Sequence, residues 1–281
     1  MAGQADIEKG TAVACPVVVH PAGDAFAPRA EQLAARLGVV VCAEPAPDAL
    51  LLRVDEKGIS LVGSGMELRG DLTRMLPRIR QGALQRELLV RAARTKGATA
   101  PWAIDATAGL GEDSLLLAAA GFRVTLYERD PVIAALLADA LERAANEPQL
   151  KGVVSRMTLV EGDSVAALWG LSDALDAGAA AAQPDVVLLD PMFPARQKSA
   201  SVKKKLRMLQ LLERPCDDEE ALMRAAIGAR PRKVVVKRPA KGPALAGVKP
   251  AYTLAGKAVR YDCIIPASVG VDALRPPVTS A

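Results

Sequence analysis

A chain of 281 residues, 51% hydrophobic and 24% charged, has material for one large domain and a smaller one. No apolar run reaches the ~18 residues of a membrane span, and four widely spaced cysteines with a single histidine, His20, argue against a zinc site, a disulfide framework or a histidine-based triad. The net charge of +4 conceals three strongly basic segments, which point to a polyanion as partner.

Residues 1–70 read as a small α/β subdomain. "CPVVVH", "LGVVVCAE" and "ALLLRVDEKGISLVG" are short β-type runs, and "PRAEQLAARLG" has helical spacing that ends at a glycine. "TAVACPVVVH" lacks the basic flank of a signal peptide and is expected to be a strand, and the scattered cysteines suit the reducing cytoplasm. Residues 71–99 form a basic, partly helical connector, broken near Pro77 and Gly82. From Arg69 to Lys96 there are eight Lys and Arg against Asp71 and Glu87.

Residues 100–281 repeat strand, turn and helix. "WAID", "FRVTLYE", "MTLVE", "DVVLLD" and "KVVVKRP" are the strands, and "EDSLLLAAAG" and "PVIAALLADALERAA" are helices, the second with Pro131 at its first position. "LSDALDAGAAAAQP" reads as a loose helix or loop, and the tail "VGVDALRPPVTSA" as frayed. Alternation of this kind predicts a Rossmann-like, mostly parallel sheet covered on both faces.

The turn "DATAGLGED" follows the first of these strands, where an open α/β sheet binds its ligand. Gly109 and Gly111 let the backbone pass close to that ligand, and Glu128, 19 residues after Gly109, is placed to meet ribose hydroxyls. A pyrophosphate would be repelled by Glu112 and Asp113. S-adenosylmethionine has no phosphate and a positive sulfonium, so Asp105 and Asp113 favour it over NAD. Asp163 and Ser164 close the third strand at the same edge, suited to an adenine amino group or to a helix cap.

"DPMFPARQK" ends the fourth strand with Asp190. Exocyclic amines of nucleobases are poor nucleophiles because their lone pair is delocalised into the ring. A carboxylate and the carbonyl region of Pro191, stiffened by Pro191 and Pro194, can accept the two N–H bonds and direct that lone pair at a methyl donor. Phe193 can stack on a base turned out of its helix. Arg196, Lys198, Lys203, Lys204 and Lys205 follow, and Lys237 and Arg238 end the next strand. Both clusters are expected to rim the pocket and hold phosphates.

"DATAGLGEDSLLLAAAGFRVTLYERDPVIAALL", "LLDPMFPARQKSASVKKKLRMLQ" and "KVVVKRPA" resemble the RsmJ family, small-subunit (16S) ribosomal RNA guanine-N2 methyltransferases. The resemblance implies a class I methyltransferase sheet, S-adenosylmethionine as donor, and small-subunit RNA or the 30S particle as partner, while the residues themselves point to no metal and no membrane. It also implies donor contacts from Glu112, Asp113, Glu128, Arg129, Asp163, Ser164 and Asp190; the family usually has Arg-Asp where this chain has Glu112-Asp113. The residues alone leave two other readings, an amino-methyltransferase acting on DNA adenine and a non-catalytic RNA-binding module on the same scaffold. They do not set the oligomeric state.

Overall fold

The structure is a computed structural model that describes residues 17–46, 49–179, 182–191 and 218–268. The described residues divide into two compact units, with the break between Leu68 and Arg69. The basic connector expected at 71–99 therefore falls inside the second unit.

In the first unit, β1 (Val18–Pro21) leads through α1 (Ala27–Leu37) to β2 (Leu51–Asp55), β3 (Gly58–Gly63) and β4 (Met66–Leu68). The sheet order is β1-β2-β3-β4, with β1 and β2 parallel and the other pairs antiparallel. Pro28 stands in the first turn of α1, and Gly38 ends the helix in the left-handed region at φ 66°. The hairpin expected at "VDEKGIS" joins β2 to β3, where the Asp55 carboxylate accepts the Lys57 N–H at 2.9 Å. "LGVVVCAE" does not become a strand. Only Val41 bridges to Val19, and Val40 is 65% exposed, so its β propensity has no second neighbour to pair with.

The second unit begins with three short helices, α2 (Leu76–Ile79), α3 (Gln81–Leu84) and α4 (Leu88–Ala93). Extended backbone at Arg80 and Glu87 separates them, whereas Pro77 and Gly82, the breakers read in the sequence, stand inside α2 and α3. Then follow β5 (Trp102–Asp105), α5 (Glu112–Ala119), β6 (Arg123–Glu128), α6 (Pro131–Ala145), α7 (Lys151–Val154), β7 (Met157–Glu161), α8 (Ser164–Asp176), β8 (Val186–Leu189), α9 (Glu219–Gly228), β9 (Lys233–Pro239), β10 (Tyr252–Ala255) and β11 (Val259–Ile264). The sheet order is β10-β11-β9-β8-β5-β6-β7. Strands β5 to β9 are parallel, and β11 runs antiparallel to both β9 and β10.

The parallel strands are buried on both sides, and alternate residues feed two cores. Ala103, Val124, Val186, Leu188 and Val235 pack with α4 and α5, while Ile104, Val187, Leu189, Val234 and Val236 pack with α8 and α9. From β5 the chain winds outward in one direction through β6 and β7, then returns to the other side with β8 and β9. The switch point lies between β5 and β8, and a ligand crevice forms outside their carboxyl ends. Among the described residues, no helix is long and apolar enough to cross a membrane.

Candidate active site

Each strand of the parallel core delivers a polar side chain to its carboxyl end: Asp105 from β5, Glu128 from β6, Asp163 after β7, Asp190 after β8 and Lys237 near the end of β9. The glycine turn lies above β5. Gly109 and Gly111 adopt φ of 54° and 76°, conformations that side chains with a Cβ disfavour. A Cβ on Gly109 would project into open space, whereas one on Gly111 would stand 2.7 Å from Leu137 Cδ1. The two glycines thus do different work, one facing the crevice and the other letting α5 pack on α6. Gly111→Ala is expected to cost about 2 kcal/mol, from strained φ and a clash with a buried leucine. Thermal unfolding checks this, and an unchanged midpoint would contradict it.

Buried carboxylates brace the turn from beneath. Glu128 accepts the Gly109 N–H and the Asp130 N–H, both at 2.9 Å. Burial pushes its carboxyl up, against these hydrogen bonds. Each of its oxygens keeps a second lone pair for a donor such as a ribose hydroxyl. Asp105 is 2% exposed. It accepts the Ser114 hydroxyl at 2.6 Å and the Thr107 N–H at 3.1 Å, so it supports the turn from below. Ser114 occupies the position where a dinucleotide fold would carry a third glycine, and its hydroxyl serves this buried acid.

Burial pushes Asp105 up to about 7 from 3.8, against the pull of Ser114 and Thr107. The native state therefore holds this proton more tightly than the unfolded chain. Stability from this group is greatest below about 4 and falls as pH rises toward about 7. Asp105→Asn is expected to flatten that fall relative to the parent. Unfolding midpoints across this pH window check it, and parallel profiles would contradict it. Glu128 and Asp190 are also raised, so the difference between variant and parent isolates Asp105.

The other acids have distinct settings. Asp163 caps α8 by accepting the Val165 N–H at 2.9 Å, and Ser164 behind it is buried. Glu112 and Arg129 are exposed beside the turn and β6 respectively. Asp190 is held twice. Its backbone N–H donates to Thr107 Oγ1 at 2.7 Å, tying β8 to the glycine turn, and its carboxylate lies 2.8 Å from Lys237 Nζ. Lys237 also reaches Asp113 at 2.6 Å, so one ammonium bridges the first turn of α5 and the end of β8. Burial works against the Lys237 charge, but Asp113 and Asp190 outweigh it and hold the ammonium firmly protonated. Burial pushes the Asp190 carboxyl up and Lys237 pulls it back.

The basic rim expected from the sequence is placed differently in its described part. Lys237 keeps 25% of its side-chain surface and is committed to two carboxylates. Arg238 keeps 3%, donates to the Pro243 carbonyl at 2.9 Å and lies 3.9 Å from Glu219. Neither is presented as a free phosphate-binding cation, because alternate residues of an inner strand face the two cores. Pro191 is buried directly after Asp190. Phe193, Arg196, Lys198, Lys203, Lys204 and Lys205 lie outside the described residues. The Asp113–Lys237–Asp190 cluster and the Thr107 tie carry no motif of their own in the sequence. Among the described residues, no group of three or more His, Cys, Asp or Glu could hold a metal ion.

The sequence model of a family described as putative SAM-dependent methyltransferases matches residues 48–266. A protein of Thioalkalivibrio sulfidiphilus called Ribosomal RNA small subunit methyltransferase J is 40% identical over 255 residues, covering 89% of this chain and 97% of that one. The chain belongs to the RsmJ family of SAM-dependent methyltransferases. A second RsmJ relative, from Marinobacter nauticus, is 42% identical over 233 residues, 80% of this chain and 81% of its own. The crystal structure of a SAM-dependent methyltransferase from Neisseria gonorrhoeae superimposes with a TM-score of 0.66 at 27% identity, covering 92% of this chain and 99% of that one.

An RsmJ chain uses S-adenosylmethionine, and the donor set at the strand ends fits that molecule. Acids surround the glycine turn, and the nearest lysine is already neutralised by two of them. Such a site suits a sulfonium, an amino group and ribose hydroxyls, and opposes a pyrophosphate.

Proposed function

We propose that this RsmJ chain methylates the exocyclic N2 amine of a guanine in small-subunit ribosomal RNA, in the cytoplasm. The observation that carries the chemistry is the fixed carboxylate of Asp190, anchored by Thr107 and Lys237 at the edge of the glycine turn. The choice of RNA follows the relatives called Ribosomal RNA small subunit methyltransferase J.

Lys237 engages Asp190 Oδ2, which leaves Oδ1 to accept one N–H of the amine, with the Pro191 carbonyl region taking the other. Held this way, the nitrogen lone pair is turned out of the ring and toward the donor. S-adenosylmethionine supplies a methyl group on a positive sulfur, which departs as a neutral thioether and needs no acid. Asp190 then accepts the proton that the methylated nitrogen sheds and passes it to water. Thr107, Ser114 and Asp105 keep the turn in place during these steps. In this reading Phe193 stacks on the flipped guanine, and Arg196, Lys198, Lys203, Lys204 and Lys205 hold RNA phosphates.

Calorimetry with S-adenosylmethionine and with NAD, followed by incubation of the protein with methyl-labelled donor and small ribosomal subunits lacking the modification, tests the proposal. Donor binding without NAD binding, and label in the small-subunit RNA, are expected. Label in DNA alone would overturn the assignment of RNA.

A further inference from the structure

A cavity of about 320 Å³ opens between the segment Arg78–Leu88 and β11, and methyl transfer at the strand ends makes no use of it. Its walls are Arg78, Arg86, Glu87, Leu88, Val259 and Tyr261. Tyr261 is the register partner of Lys237 on the adjacent antiparallel strand, so both side chains stand on the same face of the sheet. The cavity thus begins one strand spacing, about 5 Å, from the lysine that touches Asp190.

The walls are chemically mixed. Glu87 clamps the Arg78 guanidinium through two parallel contacts, Nε to Oε1 at 2.8 Å and Nη2 to Oε2 at 2.7 Å, a geometry that holds the fork rigid. Arg86 is exposed and forms no ion pair with a described residue. Two guanidiniums against one carboxylate leave the rim positive. Leu88, Val259 and the Tyr261 ring supply an apolar and aromatic lining. A single-stranded nucleotide offers the matching pair of features, an anionic phosphate and a flat apolar base. The surrounding stretch from Arg69 to Lys96 has eight cations against two acids, and Arg74, Arg80, Arg91 and Arg94 are exposed within it.

We propose that this cavity seats an RNA nucleotide on the same strand as the target guanine, its phosphate on Arg86 and its base against Leu88, Val259 and Tyr261. The inference rests on the RNA substrate proposed above. Tyr261 is the residue through which the two sites adjoin. Arg78, locked by Glu87, forms a preformed wall, so no ordering of that side chain is needed on binding.

The test titrates a labelled single-stranded RNA oligonucleotide carrying the small-subunit target region against the full chain, with donor affinity and single-turnover transfer measured in parallel. Arg86→Ala is expected to lower the salt slope of binding by about one, Arg86→Glu to weaken binding by roughly tenfold, and Arg86→Lys to restore most of it. Donor affinity should not move. Arg123→Glu makes the same charge change at the exposed amino end of β6 and should leave RNA binding near that of the parent. Equal binding by the parent and all Arg86 variants would overturn the proposal, and so would an equal loss in Arg123→Glu. A parent that methylates small ribosomal subunits yet does not bind the RNA would also overturn the proposal, whereas one that binds donor but methylates neither the RNA nor the subunits would instead overturn the proposed function.

Discussion

Asp190→Ala is expected to lower methyl transfer by roughly three orders of magnitude while the sheet stays folded. The variant loses the acceptor that turns the amine lone pair toward the donor, and with it the group that takes the departing proton. The backbone N–H of residue 190 still reaches Thr107, so the tie between β8 and the glycine turn survives. Lys237 keeps Asp113 at 2.6 Å, so no uncompensated ammonium is left at the strand ends. Single-turnover transfer together with thermal unfolding checks the expectation. Parent-like transfer in a folded Asp190→Ala would sink the role given to this carboxylate.

Lys237→Met has the next largest effect, through a different route. Removing the ammonium leaves Asp113 and Asp190 facing each other without a shared cation, and the cost is about 2 kcal/mol for a pair that is not fully buried. Asp190 then responds to the remaining groups around it: Asp113 from α5, Asp105 from β5, Arg238 from β9 and Tyr261 from β11. Two of these are acids, and burial already raises the Asp190 carboxyl. Without Lys237 it moves higher still. The acceptor form of Asp190 is the ionised one, so the rise of transfer rate with pH should shift to higher pH, with a rate loss of roughly a hundredfold at neutrality. Stability should move the other way, recovering as pH falls and one carboxylate takes up a proton. A pH–rate profile that superimposes on the parent's would mean that Lys237 does not set the state of Asp190.

The parallel core was legible because its strands are continuous apolar runs with glycine turns and acids at fixed intervals. "DVVLLD" places Asp190 on the strand end by length alone, and the spacing from Gly109 to Glu128 places both at one edge. The hairpin of β10 and β11 was missed. Most of β10 is exposed, so Tyr252, Thr253 and Leu254 show no run of buried residues to announce it. "LGVVVCAE" erred in the other direction, having β-branched residues but only one bridge partner.

The site was legible to the same depth. Glycines and acids announce themselves by spacing, whereas the use of a cation depends on what stands across from it. Lys237 reads as one more positive charge in a basic stretch, and only the folded arrangement, with carboxylates at 2.6 and 2.8 Å, shows that Asp113 and Asp190 already claim it. Ser114 held the one visible clue, a hydroxyl in place of a third glycine, and its meaning required the buried carboxylate beneath.

The most direct measurement is nucleoside analysis of small-subunit RNA after incubation with this chain and methyl-labelled S-adenosylmethionine. All label in N2-methylguanosine at a single position, and none in a parallel reaction with Asp190→Ala, is the predicted result. Label in another nucleoside, or equal label with Asp190→Ala, would contradict the account.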